Sequence, residues 1–501
     1  MKHTAKNYSL VKSLKTKLNI KDMNLPARSS AFFTLTNLLC KGAAFLFTPI
    51  FTRLLTPEDY GEYSLFSTLL SLSVIMATME ISGGIIMRLF QKEKNYHFLS
   101  ILAAWSISVI AAAPITLILF FIHKFGGFGM SFPLAYTFLF IAIISISLIN
   151  LFVSRCKFIY SWVPPLITSL MQSVTAPLIS IALLRISYLS SANHVSVKIG
   201  AVTLILAITA ICLICTSVKR AKSEIKNNNL DLNQTYADTK KSIRFLLKLA
   251  LPLFPYYLSI MAISQADKLF ISGMLGKAEL AKYSVAYSAG VALSAVTNGV
   301  MGSLSPWIMR KTRAGEYDRI RRVLNRITTV SIPIIIIFLC FAPEFFSFLA
   351  PPEYKTALPV LFISSIIPVP LALAQCSSSI AIAKERVGGV LFSGIFPAVF
   401  TISLDFLIIK NAPIYAAAMI TAFGFLLLAA IGIANVRKII GEFAINVNKT
   451  FQNLLLLLLS AAAIFMFKDF IYVRISIVIL ALISIVFMAK KTISILKESK
   501  A

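Results

Sequence analysis

Residues 52–66 read TRLLTPEDYGEYSLF and follow directly on a long apolar run. The carboxylates Glu58, Asp59 and Glu62 stand here with Pro57, which stops a helix, and Gly61, which permits a turn. The chain then turns apolar again. Residues 272–287, SGMLGKAELAKYSVAY, repeat the outline: Leu55, Tyr63 and Ser64 align with Leu275, Tyr283 and Ser284, and Asp59 with Glu279.

The surroundings of both stretches are apolar. Of 501 residues, 58% are hydrophobic and only 14% charged. Apolar runs of about 18 residues or more fill nearly the whole chain, and such runs read as membrane-spanning helices. The short alternating segments of a transmembrane barrel are missing. The expected class is an all-α polytopic membrane protein with about 14 transmembrane helices. These are placed at roughly 29–52, 63–88, 97–122, 131–154, 158–184, 199–218, 243–272, 278–305, 325–349, 356–380, 387–409, 412–435, 452–468 and 472–489.

The formal net charge of +28 would suggest nucleic acid on a soluble protein. Here its distribution argues for orientation instead. Of the 48 Lys and Arg residues, 36 fall in the N-terminal tail, the even-numbered loops and the C-terminal tail, ten in the odd-numbered loops, and Lys41 and Lys268 at membrane depth. Basic residues collect on the cytoplasmic side, so both termini are expected there, and no nucleic-acid partner is required. Residues 1–28 carry seven cations and one acid without a following cleavage site, which reads as a basic cytoplasmic tail and not as a removable signal.

The polar stretch 219–242 reads as a flexible cytoplasmic linker after the sixth helix. The repeat at 52–66 and 272–287 is then offset by six helices. An even number of crossings preserves orientation, which gives parallel repeats as found in some secondary transporters. The expected organisation is a tail (1–28), a six-helix bundle (29–218), the linker (219–242), a second six-helix bundle (243–435), and two extra transmembrane helices with a basic tail (436–501).

Several chemistries have no support. No phosphate-binding G-x-x-x-x-G-K-[ST] loop appears, which argues against direct use of ATP. Cys212 and Cys215 form a C-x-x-C inside a predicted helix without a second pair or nearby His, so no metal site and no cofactor are expected. The outward loops are too short for a catalytic domain, so an enzyme such as a polysaccharide polymerase or ligase is not expected.

The stretches FTPIFTRLLTPEDYGEYSLF, EISGGIIMRLF and LPLFPYYLSIMAISQADKLFISGMLG, followed by AKYSVAY, resemble the oligosaccharide flippases of the polysaccharide biosynthesis protein family, within the multidrug/oligosaccharidyl-lipid/polysaccharide exporter superfamily. The resemblance covers essentially the whole chain. It implies alternating-access transfer of undecaprenyl-diphosphate-linked oligosaccharide from the cytoplasmic to the periplasmic leaflet of the bacterial inner membrane, for O-antigen or a related surface polysaccharide. It also implies a cationic central cavity, with a polysaccharide polymerase and a chain-length regulator as possible partners. The alternatives within the fold are a lipid II flippase and a multidrug or cation antiporter.

Ionisable residues at membrane depth mark candidate sites, because they are costly to insert. Lys41, beside Cys40, Gly42, Ala43 and Ala44, is the candidate cation for a diphosphate, or else a partner of Glu80. Arg53 and Arg88 at helix ends are further phosphate contacts or snorkelling residues. Glu80 and Asp267 are the ion-coupling candidates, with Asp267–Lys268 readable also as a self-neutralising pair and Asp405 as an interfacial residue. Gly83 and Gly84 are expected to loosen the second helix. Pro252 and Pro255 remove two backbone donors from the seventh and are expected to bend it. Tyr256, Tyr257 and Gln265 are the expected sugar contacts.

Overall fold

A computed structural model describes residues 25–83, 86, 89–90, 97–126, 129–130, 134–159, 161–187, 194–227, 232–441 and 445–498. Among the described residues there are helices and turns but no strand. The N-terminal half comprises α1 (Leu25–Leu54), α2 (Pro57–Thr78), α3 (His97–Gly126), α4 (Leu134–Phe158), α5 and α6 (His194–Asn227). Helix α5 runs as Val163–Leu170, a π segment Met171–Thr175, and Ala176–Ser187. The C-terminal half repeats the order with α7 (Leu232–Met274), α8, α9 (Tyr317–Cys340), α10, α11 (Val387–Ile408) and α12 (Tyr415–Ile440). Helix α8 is Lys277–Gly290 continued through a short 3-10 turn into Ser294–Arg313, and α10 is Leu358–Ser364 followed by Pro368–Ala383. Helices α13 (Val447–Met466) and α14 (Ile471–Glu498) lie outside the repeat and pack on α9.

Helices α3 to α7 and α9 to α13, ten in all, are long and apolar enough among the described residues to cross a membrane. The expected fourteen spans exceed these by α1, α2, α8 and α14. Helix α2 opens on Glu58, Asp59 and Glu62, and α8 carries Lys277, Glu279 and Lys282 in its first two turns. In α1 and α14 the described apolar pieces are the shorter Phe45–Leu54 and Ile471–Phe487. The outer surface is apolar, with Phe406, Phe451 and Phe487 each more than 60% exposed. Such a surface suits lipid and would promote association in water. Buried hydroxyls such as Thr68, Ser145 and Ser180 return a hydrogen bond to the carbonyl four residues back, at 2.7–2.9 Å. Their polarity is thereby satisfied within the helix, as an apolar solvent requires.

The opening stretch folds differently from its reading as a connection. Pro57 starts α2 and does not interrupt a loop: Thr56 is the N-cap, its Oγ1 accepts from the Asp59 N–H at 3.1 Å, and Pro57 occupies the first turn. Proline lacks only an N–H that would be unpaired there, and Glu58 and Asp59 complement the helix dipole. The second helix therefore begins six residues before the expected 63. The matching helix α8 begins at Lys277 after the cap Gly276, whose φ is +95°. The two caps are in the register that the sequence alignment gives.

Helix α2 also ends early. Met79 and Glu80 are both left-handed, with φ of 47° and 52°, a conformation few non-glycine residues adopt. The helix thus ends at Met79–Glu80, before the Gly83–Gly84 pair expected to loosen it. Gly83 lies in the 3-10 turn Ile81–Gly83, and Gly84 lies outside the described residues. The polar stretch 219–242, expected as a flexible linker, is helical as far as Asn227 and again from Leu232. Its acids, bases and amides are good enough helix formers to extend α6 and α7 beyond their apolar parts.

Candidate functional site

The two halves meet along α2, which packs against α7 and α8. At the end formed by the repeated turns they are stitched closely. A Cβ built on Gly61 would lie 1.8 Å from the Lys277 carbonyl oxygen, so only glycine permits this approach of α2 to the start of α8. Buried Glu62 pairs with Lys277 Nζ at 3.3 Å. Thr52 Oγ1 donates to the Leu349 carbonyl at 2.8 Å. Arg53 Nη1 donates to the Phe348 carbonyl at 3.2 Å and to Pro49 within its own helix at 2.9 Å. Arg53 thus bridges the halves. These contacts form a seam between the halves at one end of the molecule.

The repeated tyrosines flank this seam and serve opposite charges. Tyr63 faces Lys198 of α6, whose Nζ lies 3.5 Å from its ring centroid, 3.9 Å from Phe51 and 4.7 Å from Tyr60. Lys198 is buried. The sequence places Lys198 in an outer loop; the fold encloses it. Tyr283, the counterpart, donates its hydroxyl to Asp267 Oδ2.

Asp267 centres a buried polar cluster in the C-terminal half. Thr421 Oγ1 of α12 donates to its Oδ2 at 2.9 Å, and the Lys268 N–H to its Oδ1 at 2.7 Å. Asp405 of α11 is buried within electrostatic reach, and its Oδ1 has no hydrogen-bond partner among the described residues. The interfacial reading of Asp405 is thereby corrected: residues 405 and 267 are brought together where α11 packs on α7. The self-neutralising reading of Asp267–Lys268 is modified too. Lys268 Nζ turns to Gln265 Oε1 at 2.8 Å and to the Tyr287 ring at 4.5 Å, because adjacent residues point about 100° apart on a helix. Buried carboxylates with spare acceptor capacity can take up a proton or a cation.

A second locus lies where α2 and α4 approach α7. A cavity of about 440 Å³ is lined by Glu80 and Lys157 together with Ser71, Thr78, Asn150 and Met261. Met261 belongs to α7, so the cavity sits at the junction of the halves. The sequence places Glu80 two-thirds along a helix and offers Lys41 as its partner. In the fold Glu80 follows the end of α2, and the cation sharing its cavity is Lys157, read in the sequence only as a loop charge. No local pattern could have joined positions 80 and 157, which are separated by α3 and most of α4.

The remaining expected residues are scattered. Lys41 is in α1, but its side chain lies outside the described residues, and Arg88 lies outside them altogether. Tyr256 is buried against α11, where a Cβ on Gly394 would lie 2.8 Å from its ring. Tyr257 is half-buried beside it, ring centroids 5.6 Å apart. Gln265 is engaged by Lys268. Pro252 and Pro255 lie inside α7, which continues through both as a helix.

The sequence family described as "Polysaccharide biosynthesis protein" matches residues 27–312. No curated protein sequence matches the chain. Among solved structures, the lipid II flippase MurJ in an inward closed conformation is similar with a TM-score of 0.62 at 15% identity, over 92% of this chain and 99% of that one. The eukaryotic MATE transporter AtDTX14 is similar with a TM-score of 0.55 at 13% identity, over 86% and 99%. The Vibrio cholerae MATE transporter VcmN in its bent form gives 0.52 at 14%, over 84% and 98%. At these identities the likeness is one of fold.

Proposed function

The chain belongs to the polysaccharide biosynthesis protein family, and on that premise we propose that it is a flippase for undecaprenyl-diphosphate-linked oligosaccharide, working by alternating access for O-antigen or a related surface polysaccharide. The observation that carries the mechanism is the seam at Gly61–Lys277. At one end it joins the two repeats through turn residues, carbonyl contacts and the Glu62–Lys277 ion pair, and alternating access requires it to open. The proposed site is the bacterial inner membrane, with both termini cytoplasmic and the seam periplasmic. The charge distribution of the loops supports that orientation. Lys41 and Lys157 are proposed to attract the diphosphate, with Arg88 at the mouth. Tyr257 and Gln265 are retained as sugar contacts, whereas the burial of Tyr256 favours a packing role for it.

Asp267 with Asp405 is proposed as the coupling locus, and Glu80 as a second carboxylate that exchanges a proton or cation during cycling. Protonation or cation binding between Asp267 and Asp405 relieves their repulsion and lets α7 and α11 pack in one arrangement. Loss of the bound charge favours another. Transport, not catalysis, is the proposed activity, with a polymerase and chain-length regulator acting on the product. The second reading, lipid II as substrate, draws on the MurJ-like fold.

Complementation separates the two. Cells lacking an O-antigen flippase should recover surface polysaccharide when they express this chain, and cells depleted of their lipid II flippase should not recover growth. The reverse outcome would replace the proposed substrate by lipid II. In the first strain, Lys41→Ala should lose polysaccharide at normal protein level, while Lys41→Arg retains part of it. If Lys157 serves only to neutralise Glu80, the Glu80→Ala, Lys157→Ala double variant should restore what Lys157→Ala loses.

A further inference from the structure

A groove of about 700 Å³ opens on the outer face of the C-terminal half, between α10, α12 and α13. Leu373 forms its floor, and Ala429 and Ile433 of α12 face Leu454 of α13 across it. Phe451 at its rim is 65% exposed, so the groove faces the surroundings and not the protein interior. From Leu426 to Lys438 the lining follows α12 for about 18 Å at 1.5 Å per residue. That matches roughly one leaflet, half of the ~30 Å hydrocarbon core.

The groove is polar at one end only. Arg437 and Lys438 stand there. Gly441 caps α12 there with φ of +86°, and a Cβ at that position would meet nothing within 4 Å among the described residues. Helix α13 begins at the same end, where the Asn446 side chain caps it by accepting from the Lys449 N–H at 3.1 Å. Thr450, three residues into α13, also lines the groove. It is 6% exposed, and its Oγ1 has no hydrogen-bond partner among the described residues. A buried hydroxyl in apolar surroundings needs a partner, and this one lines the same groove as two cations.

We propose that this groove is a binding site for an anionic glycerophospholipid of the adjoining leaflet, with the phosphate held by Arg437, Lys438 and the Thr450 hydroxyl and one acyl chain lying between α12 and α13. The walls fit a hydrocarbon chain, the mouth fits an anion, and the length fits a lipid leaflet. A soluble anion would leave the apolar walls unmatched. A transported lipid would have to pass between the halves, yet every lining residue belongs to the C-terminal half or α13, and none to the α2 interface with α7 and α8. The occupant is therefore a resident lipid, and the site is distinct from the translocation path.

The full chain, purified in mild detergent, can be tested by native mass spectrometry with added phosphatidylglycerol or phosphatidylcholine. Phosphatidylglycerol should be retained about tenfold better, because two cations at the membrane surface each favour an anionic headgroup. Arg437→Ala with Lys438→Ala should remove that preference. Ala434→Phe, which fills the groove and keeps the cations, should lower retention of both lipids, and Thr450→Val should weaken phosphatidylglycerol severalfold. Thermal melting checks that each variant is folded. If the double cation variant does not fold, Ala434→Phe and Thr450→Val carry the test. Equal retention of the two lipids, unchanged by these variants, would overturn the proposal. Preferential retention of undecaprenyl phosphate would overturn it in favour of a carrier-lipid site. Binding of inorganic phosphate alone, unaffected by Ala434→Phe, would assign the cations to a soluble anion.

Discussion

At the scale of single residues, the seam depends on an absent side chain. Gly61 lies against the Lys277 backbone, and a methyl group there would overlap the carbonyl oxygen at 1.8 Å. Backbone atoms have no rotamer by which to yield, so α2 and α8 must separate. Gly61→Val should shift the protein toward the state open at the seam and lower transport at least tenfold, with normal membrane insertion. Cysteine accessibility near Leu55, which is buried at 4%, reads the shift; unchanged accessibility would show that the contact does not hold the seam. The carboxylates act differently. Asp405→Asn keeps shape but removes a titratable carboxyl beside Asp267. Transport should fall by one to two orders of magnitude and lose its dependence on an ion or proton gradient, as measured in proteoliposomes. A gradient dependence equal to that of the wild type would remove the pair from the coupling role. The tyrosines show why a repeat in sequence need not be a repeat in chemistry. Tyr63 meets a lysine through its ring and Tyr283 meets an aspartate through its hydroxyl, because α6 supplies one neighbour and α7 the other.

At the scale of helices, α7 carries the sharpest test. Pro252 and Pro255 leave two i−4 carbonyls of α7 without their usual donors, in the helix that bears Asp267 and contacts α2. Pro252→Ala with Pro255→Ala should slow transport several-fold while protein level and melting temperature stay the same or rise. Full complementation by the double variant would make the prolines incidental. Beyond the ten spans found among the described residues, the Arg474 guanidinium of α14 bonds Glu344 of the short helix Ala342–Leu349 at 2.5 and 2.7 Å and holds its carboxyl below the ordinary glutamate value of 4.5. A lowered carboxyl contributes stability above its unfolded pKa and loses it as pH falls through the folded value. Glu344 is about half exposed, so the pair contributes no more than about 1 kcal/mol. Glu344→Gln should lower the melting temperature by one or two degrees at neutral pH, with the difference vanishing well below pH 4.5. A pH-independent difference would point to packing and not to the ion pair. Helix starts of this kind were within reach of the sequence. Thr56-Pro57-Glu58-Asp59 is a capped start, yet beside a long apolar run its proline reads equally as a stop.

At the scale of the whole molecule, the fold is two similar bundles joined by a seam at one end. Cysteines placed at 58 and 279 should be labelled by an impermeant reagent from the periplasm, and one placed at 315 should not. Labelling of 315 from outside would invert the proposed orientation. Lys277→Ala should mimic Gly61→Val in part, since it leaves Glu62 buried without this cation, a loss of up to about 3 kcal/mol for a buried pair.

The all-helical class and the six-helix repeat were legible in the chain itself, whereas the helix starts at Thr56 and Gly276 read there as connections. Apolar run length, helix punctuation and loop charge are local properties, and a bilayer leaves few ways to satisfy a backbone. The tertiary structure alone decided that Asp405 meets Asp267, that Glu80 shares a cavity with Lys157, that Lys198 is enclosed by aromatic rings, and that Gly61 lies on Lys277. Each of these pairs spans at least 77 positions, and in a membrane-like chain the apolar periodicity that might rank helix faces is spread around every helix. Which polar residue faces which is fixed by how the helices pack, and that is set by side-chain shape across the interface and not by any pattern along one strand of sequence.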